Sequence, residues 1–304
     1  MYMKLFQKKE TPLQNITFMA IMAAINIIFV LITTFVPVLV AVILFVLPFT
    51  SVLVTIFCQK RYYPLYIVAT IGLCIVSTIW NFSDTIFYVV PSMISGFVFG
   101  ILAKYKFPLL YLIIAPAVIQ FAFSYLAIPL IELIYGFNII DTFLNAFHLN
   151  DFNYINLIVP SFIFIISLIQ ALISYMIIRD ELNKFNFPLF EGKDYFWINI
   201  AVNLALLVLT LIFSFFNLGL AYLFLNISLV VSTYLIVLSI ASKNIPSVIS
   251  DGVNLFISII LFALIYQYVP KEASFLLIGG FFLLTSIKTI IIRLVFNHKN
   301  KTIN

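Results

Sequence analysis

Apolar runs of about twenty residues recur along the chain, separated by short polar or proline-containing breaks, and that is the length a helix needs to cross roughly 30 Å of hydrocarbon. Ten such runs are legible: Ile16 to Phe35, Val38 to Phe57, Leu65 to Trp80, Thr85 to Ala103, Leu109 to Leu130, Ile155 to Ile178, Phe196 to Phe216, Gly219 to Ala241, Val248 to Val269 and Ser274 to Phe296. Pro37 separates the first two, because proline lacks a backbone donor and disfavours helix in the residue before it. The pattern therefore predicts an all-α, polytopic membrane protein of about ten transmembrane helices. Composition agrees: of 304 residues, 64% are hydrophobic and 9% charged, and the mean hydropathy is +1.20, values that a domain with a polar surface does not sustain.

Charge adds orientation. Basic residues concentrate on cytoplasmic loops, and with the N-terminus inside, Lys4, Lys8, Lys9, Lys60, Arg61, Lys104, Lys106, Arg179, Lys184, Lys193, Lys243, Lys288, Arg293, Lys299 and Lys301 all fall on the inner side. Only Lys271 falls outside, so fifteen of sixteen basic residues share one side and both termini are expected in the cytoplasm. In such a chain the formal charge of +5 reports orientation and gives no reason to expect nucleic acid. The N-terminal pattern does not read as a cleavable signal peptide, since its apolar run exceeds a signal h-region and lacks a clear small-residue cleavage site.

The expected organisation is a cytoplasmic tail over residues 1–14, a six-helix membrane domain over 15–180, a cytoplasmic linker over 181–195, a four-helix membrane domain over 196–297 and a cytoplasmic tail over 298–304. The outer stretch Ile131 to Tyr154 mixes Glu132, Tyr135, Asn138, Asp141, His148 and Asp151 with large apolar residues, and is expected to form an interfacial or partly re-entrant lid.

Chemistry is sparse. No G-x-x-x-x-G-K-[ST] stretch is present to cradle a nucleotide phosphate, and no H-E-x-x-H or G-x-S-x-G motif supports hydrolysis. The two cysteines, Cys58 and Cys74, and two histidines, His148 and His298, offer no disulfide framework or metal cluster, so neither catalysis nor a cofactor is expected.

Two signals remain. Small residues four apart, Ala20 with Ala24 and Gly96 with Gly100, let helix backbones approach closely in lipid, either inside the chain or against a docked partner. Polar groups within or beside the apolar runs are costly unless paired or wet. Trp80, Asn81, Asp84, Tyr88, Gln120 and Glu132, with Ser124, either converge on an outward-facing ligand cavity or mark interfaces and short loops. Asn203, Asn226, Asp251, Asn254 and Lys288 form a second group, in which Asp251 and Lys288 are expected to make a structural intramembrane pair in preference to a proton relay.

The first half, roughly Thr11 to Asp180, resembles the substrate-binding S components of energy-coupling factor transporters. The likeness rests on six helices, the alanine pair Ala20 and Ala24, a proline-containing second helix with "VLPFTSVLV", a short basic loop and "PSMISGFVFGILAKYK" at the end of helix four. The whole chain resembles the YybS-like group of bacterial membrane proteins, through "FFNLGLAYLFLNISLVVSTYLIVLSIASK" and the six-plus-four layout, and that group supplies no settled activity to transfer. What the S-component resemblance implies is capture of a vitamin-type small molecule, with uptake driven by a separate T component and ATPase subunits that dock on Ala20 and Ala24. The 304 − 180 = 124 residues after Asp180 have no counterpart in an S component, so a membrane scaffold or assembly protein without a ligand stands as the alternative.

Overall fold

The computed structural model describes residues 7–36, 39–78, 85–136, 141, 155–184, 195–241, 245–269 and 276–301. Among them the regular structure is all helical, with α1 (Pro12–Phe35), α2 (Val40–Phe57), α3 (Tyr63–Ser77), α4 (Val90–Lys104), α5 (Leu109–Tyr135), α6 (Ile155–Lys184), α7 (Phe196–Ser214), α8 (Leu218–Ala241), α9 (Ile245–Ile265) and α10 (Ile278–Lys301). Six helical stretches are long and apolar enough to cross a bilayer: Pro12–Phe35, Thr85–Lys104, Leu109–Tyr135, Val159–Lys184, Phe196–Ser214 and Leu218–Val237. Leu44–Phe57, Gly252–Ile265 and Ile278–Ile291 are shorter apolar helical stretches. Large apolar side chains such as Leu13, Val68, Leu133, Leu211 and Phe256 are exposed while many serines, threonines and asparagines are buried. That polarity suits a hydrocarbon solvent, in which polar groups must find partners inside the protein.

Two compact units divide the chain, one comprising Met1–Asp151 with Ile163–Lys193 and the other Phe152–Phe162 with Asp194–Asn304. In the first unit, local chemistry sets the helix ends. Thr11 caps α1: its hydroxyl accepts from the Gln14 N–H, the Gln14 side chain accepts from the Thr11 N–H, and Pro12 sits where no donor is needed. The chain ahead of the cap is tied to the far end of α2. The Lys9 N–H donates to the Phe57 carbonyl at 2.8 Å, and the buried Asn15 Oδ1 accepts from the Gln59 N–H at 2.8 Å. Lys106, at φ 56°, closes α4, and the Phe107 N–H returns to the Leu102 carbonyl at 3.0 Å, which is the wrap of a Schellman motif.

Apolar packing in this unit runs through Phe18, Met22, Leu53, Tyr66, Met93, Phe97 and Ile178. At its centre a polar chain joins three helices: the Thr50 hydroxyl donates to Asn26 Oδ1 at 2.9 Å, and Asn26 Nδ2 donates to the Tyr66 hydroxyl at 3.2 Å. All three side chains are essentially inaccessible. The second unit repeats the device. Asn203 on α7 donates to Ser232 on α8 at 2.9 Å and to Ser286 on α10 at 2.7 Å, and accepts from Ser228 on α8 at 2.7 Å. Asn254 on α9 donates to Thr285 on α10 at 3.0 Å.

Several helices run past the expected limits: α1 starts at Pro12 instead of Ile16, and α10 continues to Lys301 instead of Phe296. α5 continues to Tyr135 instead of Leu130, and α6 to Lys184 instead of Ile178, so the first residues of the expected lid and of the expected linker are helical. Hydropathy falls at Glu132 and at Arg179, but backbone hydrogen bonding does not depend on it: the Gly136 N–H, at φ 71°, still returns to the Glu132 carbonyl at 2.9 Å.

Candidate functional site

Helix α2 carries Pro48, which has no N–H to give to the carbonyl of Leu44 four residues earlier. In an apolar interior such an orphan acceptor is costly. Helix α6 supplies the missing donors. Gln170 Nε2 donates to the Leu44 carbonyl at 2.9 Å, and one turn later the Ser174 hydroxyl donates to the neighbouring Phe45 carbonyl at 2.9 Å. Gln170 also donates to Ser92 Oγ on α4 at 3.0 Å. Helix α4 reaches the same level closely because Gly96 lies against the Pro48 backbone: a Cβ there would sit 2.4 Å from the Pro48 carbonyl oxygen.

Beside this break lies a small cavity lined by Pro48, Ser95, Phe99, Pro116, Gln120, Ser167, Gln170, Ala171, Ser174 and Ile178, with a volume of about 10 Å³. That is room for about one water molecule. Gln120, on α5, is 5% exposed, and its Oε1 has no hydrogen-bond partner. The serine hydroxyls on the wall are already committed to backbone carbonyls: Ser95 to Ser92, Ser167 to Ile163 and Ser174 to Phe45, each at 2.9 Å. No charged side chain lines the cavity among the described residues.

Of the described residues picked out from sequence, Gln120 alone lines this cavity. Ser124 is buried one turn further along α5. Tyr88 is half-buried in the π-helical turn Thr85–Val89, edge-on to Phe87 at 5.1 Å. Glu132 is exposed and stands twelve residues beyond Gln120 on the same helix, roughly 18 Å away at 1.5 Å per residue. The two therefore do not converge. Trp80, Asn81 and Asp84 lie outside the described residues, as do His148, Asp151 and most of the expected lid.

The two small-residue pairs have opposite fates. Gly96 and Gly100 are buried, with a Cβ on Gly100 falling 2.7 Å from Thr55 Cβ, so that face is filled by α2 of the same chain and offers nothing to a docking partner. Ala20 and Ala24 are exposed, whereas the intervening Ala23 is buried. Lys288 is half-buried on α10, and the side chain of Asp251 lies outside the described residues, so the expected Asp251–Lys288 pair does too.

Sequence reasoning missed Ser167, Gln170 and Ser174. Their spacing of three and four residues puts all of them on one face of an otherwise apolar helix, and that periodicity was the available signal.

The basic end of this unit has its own electrostatics. Burial pushes the Cys58 thiol up to about 11, against the opposing influence of Lys9 and Lys104. Burial also lowers the Lys9 ammonium, with Cys58 opposing, and Lys9 Nζ stands 5.0 Å over the Phe18 ring. Lys60 Nζ donates to the Tyr105 hydroxyl and thereby holds that phenol below its usual range.

No family model, curated protein or solved structure matches the chain.

Proposed function

We propose that this chain is a bacterial plasma-membrane transport protein of ten spans with both termini in the cytoplasm, in which the first unit binds a small molecule. One observation carries the reading: a small cavity between four helices of an apolar bundle, with an unpartnered Gln120 carboxamide oxygen on its wall. A buried polar atom without a partner is costly in an apolar bundle, and beside a cavity it supports a ligand-binding reading. In the structure described, the cavity admits about one water, so this conformation is the closed form of the site and a larger ligand enters only when the helices around Pro48 separate. The chain has no phosphate-cradling motif, so the energy for uptake comes from a separate complex of a T component and ATPase subunits. The exposed Ala20 and Ala24 face is where that complex would dock.

The same exposed face supports the second reading, a scaffold that holds other membrane helices and binds no ligand. Purification of the full chain in mild detergent separates the two. Transport requires co-purifying ATPase subunits together with a small molecule released on denaturation, and recovery of unrelated membrane proteins with no small molecule would establish the scaffold. Substituting Ala20→Leu and Ala24→Leu together is expected to leave the melting temperature of the isolated chain unchanged, because both positions are exposed, while abolishing capture of the partner. Unfolding of that variant would show that the face is spent on internal packing.

A further inference from the structure

One end of the first unit gathers basic residues from three separate segments. Lys8 precedes the cap of α1, Lys60 and Arg61 stand in the turn between α2 and α3, and Lys104 and Lys106 close α4. The bond from the Lys9 N–H to the Phe57 carbonyl ties the first segment to the end of α2, and Lys60 Nζ, donating to the Tyr105 hydroxyl, ties the turn to the end of α4. Lys104 Nζ donates to the Thr55 carbonyl at 3.3 Å and lies within Coulombic reach of both Lys60 and Lys8. Like charges gathered in this way repel unless a counter-charge lies among them. Elsewhere in the same unit the counter-charge is built in, since Arg179 pairs with Asp180 and Lys184 with Glu181. Among the described residues, none of Lys8, Lys60, Arg61, Lys104 and Lys106 pairs with a carboxylate, and Glu10, two residues from Lys8, joins none of them.

Donors are left over. Lys60 and Lys104 each give one of three N–H groups to the protein, and the Tyr105 hydroxyl, having accepted from Lys60, keeps its own hydrogen. Lys8, Lys60 and Tyr105 are exposed and Lys104 is half-buried. A phosphate, whose charge is spread over several acceptor oxygens, matches that set. Location selects the carrier of the phosphate. The cluster sits at the ends of α1 and α4, both parts of bilayer-length apolar stretches, and the exposed side chains of Leu13, Leu65, Ile101 and Leu109 lie within two turns of it. We propose that the Lys8, Lys60 and Lys104 cluster binds the phosphate of an anionic phospholipid, whose acyl chains lie along those exposed aliphatic side chains. With the N-terminus in the cytoplasm, this is the inner leaflet, where basic clusters beside spanning helices recognise anionic head groups. The site is separate from the Pro48 cavity and does not depend on ligand binding there.

The test uses the purified full chain in an uncharged detergent, titrated with dioleoyl phosphatidylglycerol, dioleoyl phosphatidylcholine or inorganic phosphate, and read by thermal unfolding. Both lipids carry the phosphate and the same chains, but in phosphatidylcholine a choline cation cancels the charge. A saturable rise in melting temperature is expected with phosphatidylglycerol and with neither of the others at equal concentration. A lysine near a membrane surface contributes a factor of about five to binding an anionic lipid, so Lys8→Gln and Lys60→Gln each weaken it about fivefold and together about twenty-five-fold. Both side chains are exposed, so the melting temperature without lipid is unchanged. Lys60→Arg, which keeps the charge, and Lys184→Gln, whose lysine already has Glu181, bind as the unmodified chain does. An equal rise with phosphatidylcholine would overturn the proposal by assigning the effect to the acyl chains alone. A matching rise with inorganic phosphate would overturn it in favour of a free anion, and a loss in Lys184→Gln as large as in Lys60→Gln would reduce it to diffuse attraction. Stabilisation by polyglutamate with no response to phosphatidylglycerol would assign the cluster to an acidic protein instead.

Discussion

Replacing Gly96 with alanine adds one methyl group where α4 meets the Pro48 break. An ideal Cβ at that position lies 2.4 Å from the Pro48 carbonyl oxygen, 2.9 Å from its Cα and 3.0 Å from its carbonyl carbon. All three neighbours are backbone, so no side chain can rotate aside. Contacts under 3.0 Å are essentially absent for real Cβ atoms, so α2 and α4 must part by at least 3.0 − 2.4 = 0.6 Å at this crossing. Overpacking a tight interior costs about 1–3 kcal/mol. Moving α2 also disturbs the bonds from Gln170 and Ser174 to the Leu44 and Phe45 carbonyls, each worth about 0.5–1.5 kcal/mol net. A destabilisation of about 2–4 kcal/mol is expected from the two effects together. Thermal or denaturant unfolding in detergent, followed by circular dichroism, reads it directly. Gly72→Ala is the matched control: nothing lies within 4 Å of its Cβ, and the gain in helix propensity stabilises by up to about 1 kcal/mol. A Gly96→Ala protein that unfolds like the unmodified chain would refute the close-approach argument and the geometry of the break with it.

In the second unit, Asn203→Leu removes hydrogen bonds to Ser228, Ser232 and Ser286, and at about 0.6 kcal/mol per bond in a membrane interior it should cost roughly 2 kcal/mol by the same unfolding assay. Ser286→Ala should cost about a third of that, and equal losses for the two would show that Asn203 is not the hub. Cys58, with its thiol pushed from 9.0 to about 11, should react slowly with maleimide: at pH 8 about one thiol in a thousand is ionised against about one in eleven for an open cysteine, a difference near a hundredfold. The measurement is made in a Cys74→Ala background, comparing folded with denatured protein. The pH sign follows, since a raised thiol pKa means the folded state holds the proton longer. Its contribution to stability is full below about pH 9 and is lost as pH rises toward 11. Stability that increases across that window would contradict the burial of Cys58.

The helices were legible because each carries a long apolar run, and the membrane class followed from the same runs. Their ends were less so. Arg179 and Glu132 look like loop residues on hydropathy, yet each lies on a helix that continues beyond it, because the backbone ladder closes irrespective of side-chain charge. Gly96 and Gly100 were visible as a close-packing signal, but only the fold shows that Pro48 and Thr55 fill the space. Gln120 stood out as a lone amide in an apolar run. Gln170 and Ser174 did not, since their role is to complete a hydrogen-bond deficit created by a proline more than a hundred residues earlier, and no local pattern encodes that pairing.

The chain of hydrogen bonds from Thr50 through Asn26 to Tyr66 restricts the routes by which this protein can evolve. Each member satisfies the next in a place no solvent reaches, so changing any one strands its neighbour, and a single-step substitution meets a fitness barrier even if the final trio would be sound. Descendants should keep all three or exchange them jointly. Among diverged relatives, positions 26, 50 and 66 are therefore expected to covary as a block while the lipid-facing positions around them, Ile28 and Val68 for example, drift freely among apolar residues.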